Sequence, residues 1–175
     1  MILSLFRKSA STDAVYAVYN AIVAQSRQPR FYAEWGVPDT VTGRFDMICL
    51  HLALLFRRLR AEGRDAADFS QAVFDLFFRD MDRALREMGV GDLGVPKKIR
   101  QMGNVFYGLL ASLNEALDRN DPAGVEAVLV RNVYGGEPHA AAGALAAHLL
   151  AEAERLAARP TAAILAGRIE KDAAA

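Results

Sequence analysis

The fold is decided by residues 80–108, which read DMDRALREMGVGDLGVPKKIRQMGNVFYG. On both sides of the glycines, apolar residues recur three or four positions apart, which is the period of an amphipathic α-helix. Glycine ends helices readily because it adopts a left-handed backbone without strain, and proline is tolerated in a first helical turn. The stretch therefore predicts two antiparallel helices joined by a tight turn. The residues expected to shape that turn are Gly89, Gly91, Gly94 and Pro96.

The helical period continues along the rest of the chain, and no run alternates as a β-strand would. We therefore predict an all-α, single-domain helical bundle of about six to seven helices with no sheet. Residues 1–10 are expected to be a flexible N-terminal segment, 11–170 the helical domain, and 171–175 a disordered tail.

Helix limits follow from capping residues and breakers. The first helix should span 12–27 behind a Ser11 cap, and an aromatic connector should follow over 31–38. A helix over about 40–62, which is apolar on most faces, should be central. Further caps are expected at Asp39 or Thr42, at Asp65 and at Asp121, and short or alanine-rich helices should complete the chain after Pro122, Pro138 and Pro160.

Composition limits the classes of partner and compartment. The 21 basic and 21 acidic side chains cancel, so no overall field attracts nucleic acid, and we predict no DNA partner. The single cysteine, Cys49, lies in an apolar run and indicates a reducing, cytoplasmic compartment. The apolar start of the chain is too short for a signal peptide, and the run Phe45–Phe56 is too short to span a bilayer. A peripheral contact with a membrane surface is compatible with that start.

No motif predicts catalysis or a cofactor. Residues 89–94 match the GxGxxG string of dinucleotide-binding folds, but that fingerprint requires a preceding strand, and here a helix precedes it. The histidines His51, His139 and His148 are scattered, which argues against a metal site, and His51 should be a core histidine bonded to a neighbour. His148 and Glu152 share a helix face and should form a surface pair. We therefore predict a protein that is not an enzyme and needs no metal or cofactor.

Three cations follow the glycine turn. Lys97, Lys98 and Arg100 lie near the start of a helix, where the helix dipole mildly disfavours positive charge. Two interpretations remain open: an ordinary solvated turn, or a docking site for phosphate or carboxylate groups. A second basic cluster could join them if the fold brings the two together, and it consists of Arg57, Arg58, Arg60 and Arg64.

Several separated blocks, taken in order, resemble the ubiquinol-cytochrome c chaperone family, in its bacterial branch. The resemblance runs from about Tyr16 to Leu129. It departs from the family at Leu109, where a basic residue is expected, and beyond Gly136. The blocks are Pro38-Asp39-Thr40, Arg44-Phe45 with Leu50-His51 and Arg58-Leu59-Arg60, Asp80-Met81-Asp82 with Leu85-Arg86, and Gly94-Val95-Pro96-Lys97-Lys98 with Met102 and Phe106-Tyr107-Gly108.

The resemblance implies a non-enzymatic chaperone domain that binds newly made cytochrome b, or another subunit, and promotes assembly of respiratory complex III. It also implies contacts with the ribosome exit region and a small partner protein, and a location in the cytoplasm or at the inner membrane. An apolar or aromatic groove with a basic rim would suit such a client. The predicted contact residues are Phe31, Tyr32, Trp35, Tyr107, Arg58, Arg60, Lys97, Lys98 and Arg100.

Two alternatives from other classes remain. A helical domain rich in Phe, Met and Leu could carry a quinone or lipid between its helices. A scaffold protein without a small ligand would have the same sequence pattern.

Overall fold

The computed structural model describes residues 2–169, with side chains from Thr12 onward. The described residues form eight helices and no strand, which confirms the prediction of an all-α chain. Two of the eight span five residues each. The helices are α1 (Ile2–Ser26), α2 (Pro29–Ala33), α3 (Val41–Leu59), α4 (Arg64–Glu87), α5 (Val95–Asp118), α6 (Pro122–Asn132), α7 (Ala142–Ala157) and α8 (Thr161–Leu165).

Several predicted helix starts are wrong. Ser11 lies inside α1, which begins at Ile2. The cap of α3 is Thr40, whose Oγ1 accepts a hydrogen bond from the Gly43 amide at 3.1 Å. Gly63 occupies the N-cap of α4 and Asp65 lies in its first turn. At α3 the difference arises because neighbouring Asp and Thr residues can all cap a helix, and the backbone register selects Thr40. Helix α4 starts behind Gly63 without a side-chain cap.

Other helix limits are as predicted. The Asp121 side chain accepts a hydrogen bond from the Gly124 amide at 2.9 Å and caps α6, which starts at Pro122. Helix α2 occupies part of the predicted connector, because Pro29 both ends α1 and suits a first helical turn. Residues 171–175, the predicted tail, lie outside the described residues, and the flexibility of residues 1–10 stays a prediction.

The chain divides into two compact units, each built from separate segments. Unit 1 takes the described residues of 1–21, 59–103 and 159–175, and unit 2 takes 22–58 and 104–158. Helices α1 and α5 contribute to both units. The two units are defined by contacts between residues that are far apart in sequence. The predicted limits of 1–10, 11–170 and 171–175 therefore stay a prediction.

Helix α3 is the centre of unit 2. Residues 45–55 are buried without interruption, as expected for a helix that is apolar on most faces. Phe56 packs edge-on against Phe106 of α5, with 5.9 Å between ring centroids, and α6 packs against α7. The prediction that this helix is central to the core is confirmed.

The apolar stripe of α4 supplies the core of unit 1. Phe69, Val73 and Phe77 are buried, and α8 packs against the same helix. The Tyr19 hydroxyl donates a hydrogen bond to Asp80 Oδ2 at 2.9 Å and ties α1 to α4. Met88, the last residue with the spacing of this stripe, is half exposed because the helix ends there.

Candidate binding surface

The turn between α4 and α5 is a hydrogen-bonded corner, residues 88–100. The amides of Gly89 and Val90 donate to carbonyls in the last turn of α4, at 2.9 and 3.0 Å. Gly89 has φ +83°, a left-handed conformation that glycine adopts without strain. The Val95 amide donates to the Gly91 carbonyl at 3.2 Å, where α5 begins. The predicted tight turn between two helices is confirmed.

Apolar side chains project from this corner into solvent. Leu93 is 97% exposed and Met88 is 50% exposed. A side chain at the tip of a tight turn has no neighbours to bury it. A leucine that is almost completely exposed contributes almost nothing to the stability of the fold. Leu93 is therefore available to a partner.

The cations at the start of α5 are exposed and uncompensated. Lys97, Lys98 and Arg100 all face solvent, and within the described side chains none of them pairs with a carboxylate. Arg86 instead holds two acidic residues, Asp82 at 2.6 Å and Asp92 at 2.5 Å.

These two carboxylates raise the pKa of Arg86, chiefly through the hydrogen bond with Asp82. Arg83 pairs similarly, with Asp80 at 2.6 Å and Glu87 at 3.8 Å. Asp80, Asp82 and Glu87, near the end of α4, are thus paired with arginines of the same helix. The corner therefore has an apolar tip, Leu93, and a positively charged flank formed by Lys97, Lys98 and Arg100.

The aromatic residues predicted to line a groove are distributed differently. Phe31 is fully buried in unit 2, while Tyr32 and Trp35 are half-buried. The Tyr32 hydroxyl donates to the Ser26 carbonyl at 2.8 Å. Tyr107 is 57% exposed and remains accessible. The structure therefore places Phe31 in a core and keeps Tyr107 as the exposed aromatic.

The arginines at the end of α3 fall in different settings. Arg57 pairs with Asp118, and Arg58 Nε donates to the Leu156 carbonyl at 3.0 Å, so both connect elements of unit 2. Arg60 is exposed and belongs to unit 1.

A polar cluster in unit 2 was missed by the sequence analysis. His51 and His148 lie with their ring centroids 5.8 Å apart, on α3 and α7. Glu152 is buried, so the predicted surface pair with His148 is wrong. Burial alone would raise the pKa of Glu152, but hydrogen bonds from Arg155 and Gln25 hold it below its usual value. The expected core role of His51 is confirmed, since its Nδ1 lies 2.8 Å from the Met47 carbonyl.

The sequence and the fold are both similar to those of known proteins. The family profile described as ubiquinol-cytochrome C chaperone matches residues 33–172, which is most of the chain. The chain belongs to the ubiquinol-cytochrome c chaperone family. Its fold is similar to that of a solved structure: the Cbp3 homolog from Brucella abortus is 40% identical, with a TM-score of 0.87, over 95% of this chain and 94% of that one.

Curated relatives of this chaperone family member carry matching names. Ubiquinol-cytochrome c reductase complex assembly factor 1 of Mus musculus is 25% identical over 121 residues, 69% of this chain and 41% of that protein. The Xenopus laevis protein of the same name is 22% identical over 120 residues, 69% of this chain and 60% of that protein. The chain thus spans less than two thirds of the length of these relatives. Among the helices of residues 2–169, none is long and apolar enough to cross a membrane.

Proposed function

We propose that the protein is a non-enzymatic chaperone that binds newly made cytochrome b and promotes assembly of ubiquinol-cytochrome c reductase. Membership of the chaperone family over residues 33–172 carries this proposal. The names of the matched relatives, as assembly factors of that complex, agree with it. Cytochrome b as the particular client, the ribosome exit region and a small partner protein are parts of the proposal that follow from the resemblance.

The corner of residues 88–100 is the surface that suits such a client best. A membrane protein emerging during synthesis presents apolar helices flanked by charged loops. The exposed Leu93 and Met88 would contact apolar client surface. Lys97, Lys98 and Arg100 would pair with carboxylates of client loops or with lipid phosphates beside them. Exposed Tyr107 is a further proposed contact in unit 2.

The test is recovery of cytochrome b with the tagged protein after crosslinking in cells. The triple variant Lys97→Glu, Lys98→Glu, Arg100→Glu should recover at least fivefold less cytochrome b than wild type. Its matched control, Arg27→Glu, Arg79→Glu, Arg168→Glu, makes the same change of charge at exposed positions outside the corner. Equal recovery by both triple variants would remove the corner from the proposal.

Leu93→Ser tests the apolar tip separately. Because the side chain is 97% exposed, the variant should unfold at the wild-type urea concentration while capturing less cytochrome b. Unchanged capture by Leu93→Ser would show that the client does not contact the tip. Loss of capture by both triple variants would instead indicate that net charge alone controls binding.

A quinone or lipid carrier remains the alternative from another class. Two surface grooves of about 400 and 540 Å³ are present among the described residues, and both are open to solvent. A prenyl tail is normally enclosed on most sides. Native mass spectrometry after mild purification distinguishes the two, since a stoichiometric lipid would favour the carrier.

A further inference from the structure

Three buried nitrogen atoms of unit 2 have no hydrogen-bond partner among the described residues: Arg30 Nε, His51 Nε2 and His148 Nε2. They belong to one cluster around Phe31. The Phe31 ring centroid lies 5.9 Å from that of His51 and 5.1 Å from that of His148, and the Arg30 guanidinium lies 5.3 Å from it. A buried polar atom without a partner is costly, so three in one cluster require an explanation.

The partner of Nδ1 fixes the tautomer of His51. Nδ1 lies 2.8 Å from the Met47 carbonyl oxygen, which can only accept, so Nδ1 carries the hydrogen. Ser26 Oγ, at 3.3 Å, already donates to the Ile22 carbonyl and can accept from the same N–H. In neutral His51, Nε2 is therefore an unpartnered acceptor.

His148 has the opposite tautomer. Its Nδ1 lies 3.1 Å from an Arg30 terminal nitrogen, which can only donate, so this Nδ1 accepts. The hydrogen of neutral His148 is then on Nε2, which is an unpartnered donor. Burial lowers the pKa of both imidazoles, that of His148 to about 4, so both are neutral at pH 7.

We propose that unit 2 contains an internal water site in which one molecule accepts hydrogen bonds from His148 Nε2–H and Arg30 Nε–H and donates one to His51 Nε2. A water has two acceptor positions and two hydrogens, and buried waters typically make about three hydrogen bonds. The water links α2, α3 and α7. The site is independent of the corner of residues 88–100, which lies in unit 1.

A metal ion does not suit the same atoms. His148 Nε2 would have to lose its hydrogen while Nδ1 still accepts from Arg30, which leaves an imidazolate. Glu152 is already bonded to Arg155, at 2.5 and 2.7 Å, and to Gln25. The described residues contain no group of three or more potential ligands. The cluster instead suits a neutral molecule that both donates and accepts hydrogen bonds.

Long-range ¹H–¹⁵N NMR of the full chain at pH 7 tests the tautomers, and a crystal structure at 1.5 Å or better tests the water. We expect His51 protonated on Nδ1, His148 protonated on Nε2, and one solvent peak within 3.2 Å of both Nε2 atoms. Equal tautomers, a direct bond between the two imidazoles, or no ordered solvent at the cluster would overturn the proposal.

Variants give a second test that does not need a crystal. His51→Leu and His148→Leu each leave the water without one partner, whereas the double variant removes both histidine partners at once. The double variant should therefore lower the melting temperature by less than the sum of the single shifts. Additive shifts would contradict a shared water. If a variant fails to fold, the crystal structure of the wild-type protein still decides whether the water is present.

Discussion

Replacing Gly36 by alanine should destabilise unit 2 through two separate costs. Gly36 has φ +65°, where a side chain costs about 1–2 kcal/mol. A Cβ there would also lie 2.6 Å from His139 Nε2 and 2.7 Å from its Cε1. The imidazole must move, although it stacks on Tyr134 with ring centroids 4.2 Å apart and an interplanar angle of 4°.

The second cost can be sized from these contacts. A stacked ring pair contributes about 0.5–1.5 kcal/mol beyond the area it buries. His139 Nδ1 also accepts from the Ala141 amide at 3.2 Å, an exposed bond whose loss costs about 0.5–1 kcal/mol. We therefore expect Gly36→Ala to lower the free energy of unfolding by about 2–4.5 kcal/mol.

Gly135 provides a matched control. It has φ +66° and belongs to the same unit, but no atom of the described residues lies within 4 Å of its Cβ position. Gly135→Ala should therefore lose only the backbone cost of about 1–2 kcal/mol. Urea unfolding followed by circular dichroism measures both variants.

A double-mutant cycle completes the test. With His139→Ala in place, the ring that obstructs Gly36→Ala is gone, so the second substitution should cost no more than Gly135→Ala. Equal losses for Gly36→Ala and Gly135→Ala in the wild-type background would refute the reasoning. They would mean that the His139 contact contributes nothing.

Three further predictions concern unit 2. Burial raises the pKa of Asp46 from its usual 3.8 to about 7. Between these pH values the folded state keeps a proton that the unfolded state releases. The free energy of unfolding therefore falls as the pH rises from 4 to 7. Asp46→Asn should remove this loss and raise the free energy of unfolding at pH 8 by up to about 4 kcal/mol. At pH 3.5 the variant should gain nothing. Urea unfolding at the two pH values measures the difference. Since burial holds the pKa of His148 at about 4, its ring protons should not titrate in NMR until the pH falls below 5, whereas a midpoint near 6.5 would mean that the ring is exposed to bulk solvent. Asp121→Ala should cost about 1 kcal/mol by urea unfolding, because it removes the α6 cap, while Asp121→Asn should retain most of the stability.

The helices and the corner could be predicted because their signals are local. The Gly89 turn, the Asp121 cap and the stripe of α4 each depend on residues that are close in sequence, and all three are present. The choice of Thr40 as the cap of α3 depends on how the preceding segment enters the helix, which periodicity does not report.

The polar cluster could not be predicted, because its members meet through tertiary packing. His51 and His148 lie on different helices, and nothing in either local sequence indicates the other. Phe31 looks like a connector aromatic in sequence, and only α2 and its neighbours bury it. One signal could have been used: Leu93, an apolar residue inside a glycine-bounded turn, has no local face on which to be buried.

Deletion of the gene tests the central claim most directly. Membranes of the deletion strain should show a lower haem b spectrum and lower quinol–cytochrome c reductase activity than wild type, and the wild-type gene should restore both. A strain complemented with the triple glutamate variant at Lys97, Lys98 and Arg100 should remain deficient. Wild-type haem b and reductase activity in the deletion strain would contradict a role in assembly of the complex.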